Sequence, residues 1–97
     1  MIIHHVRFNL KEGADLRTFR RGLKTLLTVP SVAAGWFGEP AKTEKRAVSE
    51  TDWDLVLLLH FRTIKDHDAY QKDPIHEAFI ALCSPMWTKV RVIDTAL

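Results

Sequence analysis

The stretch WDLVLLLHF, residues 53–61, constrains the fold more than any other part of the chain. Read with a period of two, Leu55, Leu57, Leu59 and Phe61 fall on one face and Val56, Leu58 and His60 on the other. A strand apolar on both faces is covered on both, which places it in the middle of a sheet with a layer on each side. Helices of the same chain can supply one layer. Little of a 97-residue chain is left to supply the second, and a domain of this size buries only about 60–65% of its unfolded surface. A second copy of the chain is the expected cover, giving a sheet-to-sheet homodimer with an isologous interface.

The other elements follow from local pattern. In MIIHHVRFNLK, the residues Ile2, His4, Val6, Phe8 and Leu10 alternate with Ile3, His5, Arg7, Asn9 and Lys11, and Glu12-Gly13 ends the strand. Asp15 is placed to cap a helix whose apolar positions are Leu16, Phe19, Leu23, Leu26 and Leu27. That helix stops at TVPS, because Pro30 disfavours helix at Val29. VAAGWFGE, 32–39, reads as a second strand in which two glycines are offset by Trp36 and Phe37. PAKTEKRAVSETD is a polar loop.

After the third strand, TIKDHDAYQK forms one helical segment and Asp73-Pro74 starts another, since proline is tolerated in a first helical turn. Ile75, Phe79, Leu82 and Met86 make its apolar stripe, with His76, Ile80 and Cys83 on the adjoining edge, and Ser84-Pro85 ends it. TKVRVIDTA is the last strand. The order is βαββαβ over one domain, residues 1–97. It predicts an α+β, ferredoxin-like fold, a four-stranded antiparallel sheet with helices on one face.

Charge and composition remove several classes of function. A formal net charge of +2 is too small to build a nucleic-acid or anionic-membrane surface. The sheet face away from the helices, with Ile3, His5, Arg7, Asn9, Val56, Leu58 and His60, has no aromatic platform for stacking bases, so no RNA partner is expected. No run approaches the roughly 20 apolar residues of a membrane span. The opening residues show neither an uninterrupted apolar core nor a small-residue cleavage site, so no signal peptide is expected. A single cysteine, Cys83, fits a reducing compartment and a buried structural thiol, and a cytoplasmic location is expected.

The alternation that builds the sheet also gathers candidate site residues. His4, Val6 and Phe8, with Leu57, Leu59 and Phe61 and with Val90 and Val92, point between sheet and helices. His76, Phe79 and Tyr70 face them from the helices, and Trp87 lies close by; Trp36 and Trp53 read as packing groups. Two histidines and a phenol in an apolar wall suit a small hydrophobic or aromatic molecule. A histidine can exchange a proton near neutral pH, and a tyrosine hydroxyl can hold an oxyanion. A histidine on an apolar face is also a common hydrogen-bonded core group, and pattern leaves both readings open. No metal site is expected: Asp66, His67 and Asp68 are consecutive and fan out around a helix as a solvated start, while His5 and His60 lack further ligands. With no phosphate-cradling loop, dinucleotide fingerprint or nucleophile elbow, no cofactor is expected.

Five short motifs then resemble the stress-responsive A/B barrel (Dabb) family of the dimeric α/β-barrel superfamily. MIIHHVRFNLK is similar to the family's opening, with His4 and Phe8 on its histidine and phenylalanine. VPSV resembles its Ile-Pro-x-Val turn, and WDLVLLLHF its Tyr-Asp-Leu-Val-Leu-x-x-x-Phe strand through Asp54 and Phe61. YQKDPIHEAF is similar to Tyr-x-x-His-Pro-x-His-x-x-Phe, and VIDT to a closing Val-x-Asp-aromatic. The departures are Asp73 for the first histidine of His-Pro-x-His, Thr95 for the aromatic, and the polar His5 and Arg7. The resemblance implies a homodimer whose two sheets make one barrel, with a pocket between each sheet and its helices. It also implies that His76 and Tyr70 match the pair with which plant polyketide cyclases close a ring, with His4 lining the pocket. Its alternatives are a non-catalytic stress or carrier protein and a small monooxygenase. The haem-degrading monooxygenases usually carry tryptophan late in strand three, where this chain has Phe61.

Overall fold

In the computed structural model, which describes residues 1–97, the two strands with the strongest apolar alternation occupy the centre of the sheet. β1 (Ile2–Leu10) and β3 (Leu55–Phe61) pair antiparallel, with β2 (Ala34–Gly38) beyond β3 and β4 (Trp87–Ala96) beyond β1. The order β2-β3-β1-β4 and three helices on one face make the expected ferredoxin-like fold. Those helices are α1 (Leu16–Leu26), α2 (Ile64–Gln71) and α3 (Pro74–Cys83), and a 3₁₀ turn at Ser84–Met86 leads into β4.

Each helix begins where a side chain replaces a missing backbone partner. Asp15, Thr63 and Asp73 accept from the backbone N–H groups of Thr18, Asp66 and Ile75. Asp73 and Pro74 thereby separate α2 from α3, and the break turns the chain between Tyr70 and His76. The glycines have specific packing roles. A Cβ at Gly22 would sit 2.6 Å from Cys83 Sγ, so glycine lets α1 and α3 approach closely. A Cβ at Gly35 would meet Leu27 and Leu59 side-chain atoms at 2.6 and 2.7 Å, which explains a glycine inside a strand. β2 is shorter than 32–39: Val32 N–H donates to Val29 C=O in a turn, and Glu39 leaves the sheet to pair with Arg20.

The core lies between sheet and helices. Val6 and Phe8 of β1 and Leu55, Leu57, Leu59 and Phe61 of β3 pack there against Phe19, Leu23 and Leu26 of α1, with Tyr70, Phe79 and Cys83 behind them. Burying side chains of this size stabilises the fold by about 1.5–3 kcal/mol each relative to exposure. Cys83 is fully buried, and burial pushes its thiol pKa up to about 11.

The opposite face has no helix. There Trp36 is 61% exposed, against the expectation of a packed ring, because it sits on an edge strand opposite Leu58 and points away from the core. The loop after β2 folds back at the far end of this face. Glu50 lies 3.7 Å from Arg7, and Arg91 donates to the Asp52 backbone carbonyl. Asn9 Nδ2 donates to Asp52 Oδ1 at 2.9 Å, and Leu10 N–H to Asp54 Oδ2 at 2.7 Å. Arg7 and Arg91 are direct cross-strand neighbours, so the Glu50 carboxylate beside Arg7 and the Asp52 carbonyl on Arg91 offset a repulsion built into the register.

Candidate functional site: a cavity and a polar crevice on either side of His4

His4 enters the site because β1 alternates. Like Val6 and Phe8 it points toward the helices, and it is the buried polar residue of the strand. Its partner is fixed by register: Asp94 is directly opposite on β4, and His4 Nδ1 donates to Asp94 Oδ1 at 2.5 Å. An ionised carboxylate only accepts, so this bond puts the His4 proton on Nδ1 and leaves Nε2 as an acceptor. Burial holds the His4 pKa below 6.5, with Asp94 opposing and His67 reinforcing the shift. His4 is therefore a neutral, oriented imidazole at pH 7.

On one side of this ring lies a cavity of about 190 Å³ between sheet and helices. Val6, Phe8 and Leu57 form its sheet wall, while Trp87, Val90 and Val92 bring in β4. Tyr70, His76 and Phe79 close it from the helices, together with Gln71 and Ile80, and Leu26 adds the end of α1. Leu59 and Phe61 are buried beneath this wall as core residues instead of lining it. Their alternation is right, but α2 covers that end of β3, and Phe61 packs on His4 and Tyr70 with ring centres 6.1 and 5.2 Å apart.

Tyr70 joins the two histidines. Its ring centre is 5.7 Å from His4 and 4.8 Å from His76, in edge contacts. Burial raises the Tyr70 pKa, so the phenol keeps its proton and acts as a donor. Burial also lowers the His76 pKa, with His4 adding to the shift and the carboxylates of Asp73 and Glu77 opposing it. The cavity thus holds two neutral imidazoles and a protonated phenol in an apolar wall, groups able to exchange a proton and hold a developing negative oxygen. A wider crevice of about 520 Å³ lies between the β1–α1 turn and the long loop, but its walls carry no histidine and no tyrosine.

On the other side of His4 is a second crevice, lined by Ile2, Ile64, His67, Asp68, Asp94 and Ala96. Here the sequence reading of His67 needs correction. It was expected in a solvated helix start, yet its side chain is only 19% exposed and its ring lies 5.2 Å from His4 and 5.5 Å from Phe61. The fan-out argument holds for its neighbours: Asp66 and Asp68 turn outward or sideways, and that rotation is what turns His67 onto the sheet. His67 and Asp94 were both missing from the set of candidate site residues. The available signal was the spacing of His67 and Tyr70, three apart on one helix face, combined with the β1–β4 register.

Fold and site together define a small α+β domain of ferredoxin-like type, with a ligand-sized cavity between sheet and helices. The chain belongs to the stress responsive A/B barrel domain family, whose model matches residues 2–97. Among solved structures, a Dabb family protein with a ferredoxin-like fold from Mesorhizobium loti aligns with a TM-score of 0.77 at 22% identity, over 99% of this chain and 95% of that one. An Arabidopsis thaliana protein aligns at 0.80 and 17% identity, over 100% and 95%. A dimeric ferredoxin-like protein of unknown function from Thermobifida fusca aligns at 0.77 and 19%, over 99% and 90%. Among functionally curated proteins, none matches the chain by sequence. No helix is long and apolar enough to cross a membrane.

Proposed function

We propose that this protein is a homodimer that binds a small hydrophobic or aromatic molecule in the cavity beside His4, and that His76 and Tyr70 perform acid–base chemistry on it. The observation carrying this reading is the cavity itself: a mostly apolar, partly open pocket of about 190 Å³ with His4, Tyr70 and His76 in its wall. A cavity of about 150 Å³ is enough for benzene, so the occupant is one ring with short substituents or an aliphatic molecule of that size. His76, neutral at pH 7 through burial, takes a proton from carbon next to a carbonyl. Tyr70 donates to the oxygen on which charge develops. His4, held by Asp94, lines the cavity and fixes the ligand's orientation.

The dimer rests on the open sheet face. Trp36, Leu58 and Ile93 lie in one row across this face with His5 between Leu58 and Ile93, Ile3 and His60 lie in the row on one side, and Arg7 lies on the other. The dimeric Thermobifida fusca relative shares this fold, and sheet-to-sheet pairing would cover the second face of β3. Sedimentation at micromolar concentration is expected to give a mass of two chains; a monomer would remove the dimer from this reading.

The chemistry is tested with acetophenone as a probe in D2O, following exchange of its methyl hydrogens by NMR. The expected result is exchange faster than buffer alone, abolished in His76→Ala and strongly reduced in Tyr70→Phe, with both variants folded. Saturable binding without accelerated exchange would instead support a carrier role.

A further inference from the structure

We infer that His4, His67 and Asp94 form a binding site for a divalent transition-metal ion of the zinc type, distinct from the apolar cavity. One ligand atom from each residue can be chosen so that all lie within 4.8 Å of one another. Three donors about 2.0–2.2 Å from one tetrahedral ion lie about 3.3–3.6 Å apart, so side-chain rotations of about an ångström complete the set. The residues come from β1, α2 and β4, elements fixed by sheet register and core packing rather than by a loop.

The polar arrangement leaves one buried ring nitrogen without a partner. Asp68 Oδ1 lies 3.1 Å from His67 Nδ1 and accepts its N–H, which leaves Nε2 to find a second partner. That Nε2 atom is buried, has no hydrogen-bond partner, and lies 3.7 Å from Asp94 Oδ2. Positive charge between that nitrogen and the Asp94 carboxylate satisfies both, supplied by a metal ion on Nε2 or by a second proton on the ring, and titration with zinc separates the two. A histidine ligand backed by a carboxylate on its other nitrogen is the usual support for a metal-binding ring. On the far side, the Asp94 carboxylate already holds His4 Nδ1.

Two imidazoles and one carboxylate form a borderline donor set, suited to zinc, cobalt or nickel ions and poorly suited to calcium or magnesium. The fourth position opens into the crevice between Ile2 and Ile64, where water or a small anion completes the shell. When the ion binds Nδ1 of His4, the proton displaced there goes to solvent and one is taken up at Nε2. The ring stays neutral and its free nitrogen changes from acceptor to donor. The site does not depend on the chemistry proposed for His76 and Tyr70.

The test is calorimetric titration of the full chain with zinc chloride in a non-chelating buffer at pH 7. The expected result is one ion per chain at micromolar affinity or tighter. Asp68→Ala is expected to weaken binding about 10-fold, as for removal of other supporting partners, and His67→Ala by more than that. His5→Ala/His60→Ala, which removes histidines from the opposite sheet face, is expected to bind like the parent. Less than half an ion per chain, undiminished binding in His67→Ala, or loss of binding in the His5/His60 variant each overturns the assignment. Nitrogen-15 spectra of the unmutated protein give an answer even where a variant fails to fold. Zinc must shift His4 Nδ1 and His67 Nε2, and shifts confined to other ring nitrogens would reject the site.

Discussion

The two sides of His4 differ in what builds them. Toward the helices is an apolar cavity whose walls come from strand alternation and helix stripes; toward the end of the sheet is a polar crevice made by one cross-strand pair and one helical histidine. The cavity would survive modest changes in register, because any inward-facing apolar residues could wall it. The crevice would not: slipping β4 by one residue against β1 removes Asp94 from His4 and turns it to the other face. One imidazole serves both sides, with Nδ1 engaged in the crevice and the rest of the ring against the cavity. A hydrophobic pocket is thus a cheap product of the fold, whereas a polar cluster depends on specific pairings.

The largest test of that contrast removes the ring standing behind both sides. Phe61 is fully buried and touches His4, His67 and Tyr70. Phe61→Ala is expected to cost about 3–5 kcal/mol in urea unfolding, the range for a buried phenylalanine. Zinc affinity should fall more than affinity for a phenol probe, because the crevice needs exact placement and the cavity only grows. Equal losses on both sides would show that the cavity is as dependent on placement as the crevice.

A smaller effect is expected from Asp73→Ala, which removes the cap of α3 and costs about 1 kcal/mol. Because α3 carries His76 but none of the three crevice residues, acetophenone exchange should decline while zinc binding is unchanged. A loss of zinc binding in this variant would mean the two sides move as one unit.

The same contrast explains what the sequence revealed. The double-sided apolar run of β3, the alternation of β1 and the capped restart at Asp73 each state their structure within about ten residues, so the fold and the cavity wall were legible. Tyr70 and His76 were legible as a pair because the Asp73-Pro74 break lies between them and turns both inward. His67 and Asp94 were not, since their meeting with His4 depends on partners 63 and 90 positions away in the chain. Trp36 reads from sequence as a packing group, and only the sheet order shows that it stands on an edge strand and faces the side without helices.

The smallest effect is in acid titration, which reads the two sides through different rings, His4 and His76. Burial lowers the pKa of both His4 and His76 from the ordinary 6.5. Below pH 6.5 the unfolded chain takes up protons on these rings before the folded one does. Stability therefore rises with pH through this window and is lost on acidification from pH 7 toward 5.5. Thermal unfolding across that range should show a falling midpoint, with a shallower fall in His76→Gln. His76 should titrate by NMR with a midpoint below 6.5 in the parent, and Asp94→Asn should lower the His4 midpoint further, since it removes the carboxylate that opposes the effect of burial. Were the Asp94 substitution to leave His4 unchanged and move His76 instead, the polar crevice would be acting through the cavity, and the division at His4 would have to be redrawn.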